Sequence, residues 1–173
     1  MQSPLSRLLR LALLPLLVSV AFTHADEEGW EKVDYPAVKF SIDEVKGGKL
    51  TEAAFKGKVV VIDFWATWCG PCVGELPEIA KYADSIKDRK DVAFLSFSVD
   101  DGKEEVVNFF KNRKETFPVY MASTLSDRME VIIFPTKLIV DGRKGQPRVR
   151  LRKEGVIESA ELERRVAEIL AKP

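Results

Sequence analysis

Side chains that carry chemistry are scarce in this sequence. Its 173 residues hold one histidine, His24, and two cysteines, Cys69 and Cys72. An excess of charge is also missing, with 27 basic residues balancing 27 acidic ones. No positive surplus therefore marks a nucleic-acid surface. Repeats and low-complexity tracts are absent, so the length suits one domain with a sizeable core. Hydrophobic content of 46% and charged content of 31% fit a globular, soluble chain. The one long apolar run, 11–22, is broken only by Ser19. It is shorter than the roughly 20 residues a membrane span needs.

What precedes and follows that run gives it a meaning. Arg7 and Arg10 lie before it, and small residues follow, with Thr23 and Ala25, or Ser19 and Ala21, as candidate cleavage pairs. Charge, apolar stretch and small residues in that order read as a secretory signal over residues 1–25. The expectation is export with the signal removed, and the alternative is retention as an N-terminal tether. No cysteine near the cleavage region offers a lipid attachment point. Removal takes away Arg7 and Arg10, leaving 25 basic against 27 acidic residues, a net of −2. It also takes away His24, which excludes a Cys-His dyad, a Ser-His-Asp triad and His-ligated metal. Chemistry then falls to thiols, carboxylates and backbone.

The two thiols are adjacent in a telling way. Trp68-Cys69-Gly70-Pro71-Cys72 follows the apolar run Val59-Val60-Val61-Ile62-Asp63-Phe64-Trp65, which reads as a buried strand, and precedes a helical pattern. A sulfur at a helix start meets free N–H groups and the positive end of the helix dipole. That lowers its pKa and makes it a nucleophile near neutral pH. A disulfide across two residues is a weak staple, because the entropic gain grows with loop length. The pair is read as a redox centre in an exported chain. A zinc half-site would need two more soft ligands that the mature chain does not hold. Attachment of c-type haem is excluded because Val73, not histidine, follows Cys72.

Along the chain, 26–36 is acidic, ends at Pro36 and reads as a linker to a single domain over 37–173. Strands are expected at 38–42, 58–65, 92–99, 119–121, 136–140 and 147–152. Helices are expected at 72–89, 103–116 and from Ser159, which is placed to cap the last one. Alternating elements of this kind argue for an α/β fold, a central sheet covered by helices on both faces. Arg143, Lys144, Arg148, Arg150, Arg152 and Lys153 make 143–153 strongly basic. The expected role is a solvated face guarding an edge strand, with an acidic partner or lipid headgroups as the alternative.

Residues 58–77 resemble the active-site strand and helix of the thioredoxin superfamily, through Asp63-Phe64-Trp65-Ala66-Thr67-Trp68-Cys69-Gly70-Pro71-Cys72. A second landmark, Phe134-Pro135-Thr136, stands in the right order downstream. The chain is more similar to the exported TlpA/ResA-like reductases than to cytosolic thioredoxin. Cys72-Val73-Gly74-Glu75-Leu76-Pro77 fits their C-x-x-E-x-P pattern, and Phe55-Lys56-Gly57-Lys58 their lead-in to the strand. Residues 100–121 match the extra helix and strand of that group. The Gly70-Pro71 dipeptide and Asp63, by contrast, are as in thioredoxin.

The resemblance implies a mixed sheet of thioredoxin type and assigns roles. Cys69 is the nucleophile and Cys72 the resolving thiol. Asp63 is the base for Cys72, its pKa raised by burial; the alternative is a strand-end aspartate facing water. The lysine that thioredoxins keep on the next strand falls at Ser96. Glu75 is expected to act in its place, unless it is a solvated first-turn glutamate favoured by the dipole. Pro71 removes a donor that would stabilise the Cys69 thiolate, which implies a relatively reducing potential. Trp68, Gly70, Pro71, Phe134 and Pro135 are expected to face the client, with the Phe134–Pro135 bond cis; an ordinary trans loop proline is the alternative. Pro77 is expected to kink its helix. Trp65 is expected in the core.

The implied activity is reduction of protein disulfides in the periplasm by a monomer. The implied clients include haem-site cysteines of apocytochrome c and copper-site assembly proteins. An upstream membrane carrier or thiol reductant is implied because that compartment is kept oxidising, and no metal or organic cofactor is. The rivals are an oxidase or isomerase on the same frame, a thiol peroxidase, and a non-enzymatic binding or chaperone module. The peroxidase motif P-x-x-x-T-x-x-C is not matched, since Ala66 stands third before Cys69.

Overall fold

The computed structural model describes residues 26–172. The signal expected over 1–25 lies outside them. Among the described residues eight strands are present: β1 (Trp30–Pro36), β2 (Ser41–Asp43), β3 (Lys49–Thr51), β4 (Val59–Trp65), β5 (Val92–Ser98), β6 (Val119–Met121), β7 (Thr136–Asp141) and β8 (Arg148–Glu154). Four α-helices accompany them in the described residues: α1 (Gly70–Ile86), α2 (Lys103–Phe110), α3 (Ser123–Arg128) and α4 (Ser159–Leu170).

β4 explains the architecture. It is rich in valine, with every residue buried, as a strand covered on both faces must be. It pairs in parallel with β5 and antiparallel with β7. The full sheet order is β1-β8-β7-β4-β5-β6, with β2 and β3 forming a separate hairpin. Alternate β4 residues serve two cores. Val59 and Val61 pack with Ile79 and Tyr82 of α1 and with Leu162, Val166 and Ile169 of α4. Val60, Ile62 and Phe64 join Phe55, Val106 of α2 and Leu125 of α3 on the opposite face. This is the mixed, helix-covered sheet of the thioredoxin fold. The expected insertion holds α2 and β6, and β6 forms the far edge of the sheet.

Four expectations need correction. The segment read as a linker carries β1, which pairs with β8 at the near edge. Its acidic residues suggested solvent, but their partners lie on β8 and α4: Asp34 with Arg148 and Arg150, and Glu28 with Arg164 and Arg165. Trp30 is fully buried and donates its indole N–H to Glu161 at 2.7 Å. β1 makes β8 an interior strand, so the arginine row guards no edge. Much of that row is paired, Arg143 with Asp141 and Arg152 with Glu154 as well. Ser159 does not cap α4; Glu158 holds that position, and the buried Ser159 hydroxyl has no partner. Finally, α2 stops at Phe110, and α3 appears where no helix was expected.

Candidate active site

The redox pair sits where β4 hands over to α1. Cys69 is the N-cap of that helix, in extended conformation, and Gly70 and Pro71 form the start of its first turn. Cys69 and Cys72 are joined in a disulfide. The backbone N–H of Cys72 donates to Cys69 Sγ at 3.3 Å. Pro71 brings no N–H, so its presence in the first turn costs no helical bond and also offers no second donor to the sulfur. Cys69 keeps 7% of its surface exposed and Cys72 only 1%. That asymmetry is what an attacking and a resolving thiol need. The turn leading in is held by Asp100, whose carboxylate accepts from Thr67 N and Thr67 Oγ1. α1 runs unbroken through Pro77.

A buried charge cluster joins β4, α1 and β7. Asp63 of β4 and Glu75 of α1 are both buried, so the solvated alternatives for each do not hold. Between them is Lys137 of β7, completely buried. Its ammonium donates to Glu75 Oε1 and lies 3.5 Å from Asp63 Oδ1. Glu75 Oε2 accepts from Ile157 N at 2.9 Å. Asp63 Oδ1 has no hydrogen-bond partner. Burial pushes the Asp63 carboxyl up, and Lys137 pulls it part of the way back. Burial, with repulsion from Asp63, raises Glu75 to about 7 against the opposing pull of Lys137. Two carboxylates thus share one cation in a low-dielectric site, which favours a bound proton.

Lys137 is the residue that sequence reasoning missed. Asp63 lies opposite Ser96 on β5, as expected, but opposite Lys137 on its other neighbour, β7. Ser96 accepts instead from the Trp65 indole at 2.7 Å. A signal was available: a lysine opening the apolar strand Leu138-Ile139-Val140, one residue past Pro135-Thr136, must find a carboxylate if buried.

The Phe134–Pro135 bond is cis. Trp68 is 65% exposed and meets the edge of Phe134, ring centroids 6.0 Å apart. Trp65 is fully buried, as expected for a core residue. Ile132 and Ile133 add exposed apolar surface just before Phe134.

Similarity to known proteins follows the same lines. A model of the AhpC/TSA family matches residues 33–144. The thiol-disulfide oxidoreductase ResA of Bacillus thuringiensis subsp. konkukian is 30% identical over 135 residues, covering 75% of this chain and 78% of the relative. The thioredoxin-like protein YneN of Bacillus subtilis is 30% identical, covering 69% and 71%. Among solved structures, a thiol:disulfide interchange protein of the thioredoxin family from Chlorobium tepidum superposes with a TM-score of 0.67 at 28% identity, covering 82% and 99%. StoA of Bacillus subtilis superposes with a TM-score of 0.63 at 24% identity, covering 75% and 96%. With its cysteine pair at the head of α1, the chain belongs to the AhpC/TSA family and is a thioredoxin-like thiol–disulfide oxidoreductase.

Proposed function

We propose that this enzyme works outside the cytosol, in the periplasm, reducing disulfides of exported client proteins. In the reduced enzyme the Cys69 thiolate attacks one sulfur of a client disulfide. The client S–S bond breaks, a client thiolate leaves, and an enzyme–client disulfide forms. Cys72 then gives its proton to Asp63 and attacks Cys69 Sγ. The second client sulfur leaves as thiolate, and the Cys69–Cys72 disulfide is restored. The client gains two electrons, which an upstream membrane carrier or thiol reductant returns to the enzyme. Thiols of haem-attachment or copper-site proteins are the client class implied by the resemblance to TlpA/ResA-like reductases. The leader-like residues 1–25 support export.

The observation that carries this reading is the Cys72 N–H donated to Cys69 Sγ at the head of α1. It stabilises negative charge on the sulfur that must attack and later depart. Asp63 Oδ1, which makes no hydrogen bond and has the Lys137 ammonium no closer than 3.5 Å, supports Asp63 as the proton acceptor, because both Glu75 oxygens are already hydrogen-bonded. Trp68, Gly70, Pro71, Phe134 and Pro135 supply the client-facing surface in this reading.

The test is capture. Cys72→Ser is expected to stall the reaction at Cys69 and to accumulate a disulfide-linked client that a reductant releases. Recovery of no such adduct from the exported fraction contradicts the reading. Titration against a glutathione or dithiothreitol couple separates reductase from oxidase. A potential near the roughly −270 mV of thioredoxin is expected, and one near the roughly −120 mV of DsbA contradicts it.

A further inference from the structure

The loop 155–157 joins β8 to α4 and is tied down on both sides by buried groups. Lys137 Nζ donates to Gly155 O at 3.2 Å. Glu75 Oε2 accepts from Ile157 N at 2.9 Å. Lys137 and Glu75 are themselves bonded to each other. Gly155 N donates to Pro135 O at 2.8 Å, which joins the loop to the Phe134–Pro135 turn. Val156, between the two anchored residues, is 55% exposed. Among the described residues five large apolar side chains are exposed, and four of them, Trp68, Ile132, Ile133 and Val156, belong to the redox turn, the Phe134–Pro135 turn and this loop. Lys137 and Glu75 lie too deep to touch a client. They touch the backbone of the loop that carries Val156.

We propose that Lys137 and Glu75 are positioning residues, a buried ion pair that latches loop 155–157 against the Phe134–Pro135 turn and so shapes the surface on which a client disulfide docks. The inference rests on the reductase reading above and adds to it a control over docking. Ionised Glu75 accepts strongly from both Lys137 and the Ile157 amide. A protonated Glu75 holds them less tightly. Asp63 from β4 and Lys137 from β7 are the charged groups that act on Glu75, and the loop contributes only its backbone amide. With Glu75 raised to about 7, the latch is tight in mild alkali and loosens in mild acid.

Two measurements on the full chain decide it: KM and kcat for reduction of insulin disulfides, and amide hydrogen exchange over 155–157 corrected for intrinsic rate. Both are made at about pH 6 and about pH 8, on either side of that value. In the unsubstituted enzyme, protection at Ile157 is expected to fall and KM to rise toward the lower pH. Glu75→Gln is expected to raise KM at the higher pH roughly fivefold, the order of one lost hydrogen bond, and to flatten both pH dependences. Val156→Ser is expected to raise KM while leaving Ile157 protected. Protection and KM that ignore pH in the unsubstituted enzyme overturn the proposal. So does a Glu75→Gln enzyme with lower kcat but unchanged KM and protection, which assigns Glu75 to proton transfer. Exchange needs no client and no variant. Capture with Cys72→Ser therefore decides the reductase reading, while Ile157 protection decides the latch even in a chain that leaves insulin untouched.

Discussion

Asp63 and Glu75 look alike in composition and differ in circumstance. Glu75 spends both oxygens on hydrogen bonds from Lys137 and Ile157, whereas Asp63 Oδ1 has only the Lys137 ammonium at 3.5 Å and no hydrogen bond. Asp63→Asn is therefore expected to slow release of the trapped client by about 10²- to 10⁴-fold, the usual contribution of a general base. Attack by Cys69 should be little changed. Stopped-flow mixing of reduced enzyme with a disulfide protein separates the two steps, and equal slowing of both contradicts the assignment. The placement of Cys69 and Cys72 at the head of α1 was legible because it depends on neighbours within one turn of helix. Lys137 was not, because its partners are 62 residues away on α1 and across the sheet on β4. Which neighbouring strand faces Asp63 is a question of sheet order, and no local pattern states it.

At the scale of elements, the strands β4, β5 and β7 could be read from apolar runs, since burial on both faces leaves little room for polar residues. β1 could not, because an edge strand with one wet face alternates charge in the way a linker does. The junction that sets β4 in place rests on a close approach. Gly57 N donates to Gly142 O, and Gly142 N to Lys58 O, each at 2.8 Å. A Cβ on Gly142 would lie 2.0 Å from Phe55 O. Gly142→Ala is expected to destabilise by about 1–3 kcal/mol, as overpacking does. Gly74, inside α1, has open space around its missing Cβ. Gly74→Ala is expected to stabilise by roughly 0.5–1 kcal/mol through the unfolded chain. Urea midpoints of the oxidised protein check both signs, and an unaffected Gly142→Ala variant would contradict the first.

For the whole molecule, the buried cluster sets a pH dependence of stability. Glu75 is raised from 4.5 to about 7, and Asp63 is raised as well, so the folded state holds protons that the unfolded chain has lost. The Glu75 contribution to stability is therefore expected to fall as pH rises from about 4.5 to about 7 and to level off above, and Asp63 acts in the same sense. Asp34, Asp43 and Asp91, held low by basic neighbours, act in the opposite sense but below that window. Glu75→Gln should remove much of the slope, as read from urea midpoints across the window. Ionising Glu75 thus tightens one loop while it costs the fold as a whole, because a buried charge gains local bonds and loses its hydration.

The account stands on an acidic sulfur at the head of α1. The direct measurement is the rate of alkylation of each thiol in the reduced enzyme as a function of pH. Cys69 is expected to titrate well below the roughly 8.5 of a free cysteine, with Cys72 slow throughout. Two thiols reacting alike, each with a midpoint near that of free cysteine, would contradict it.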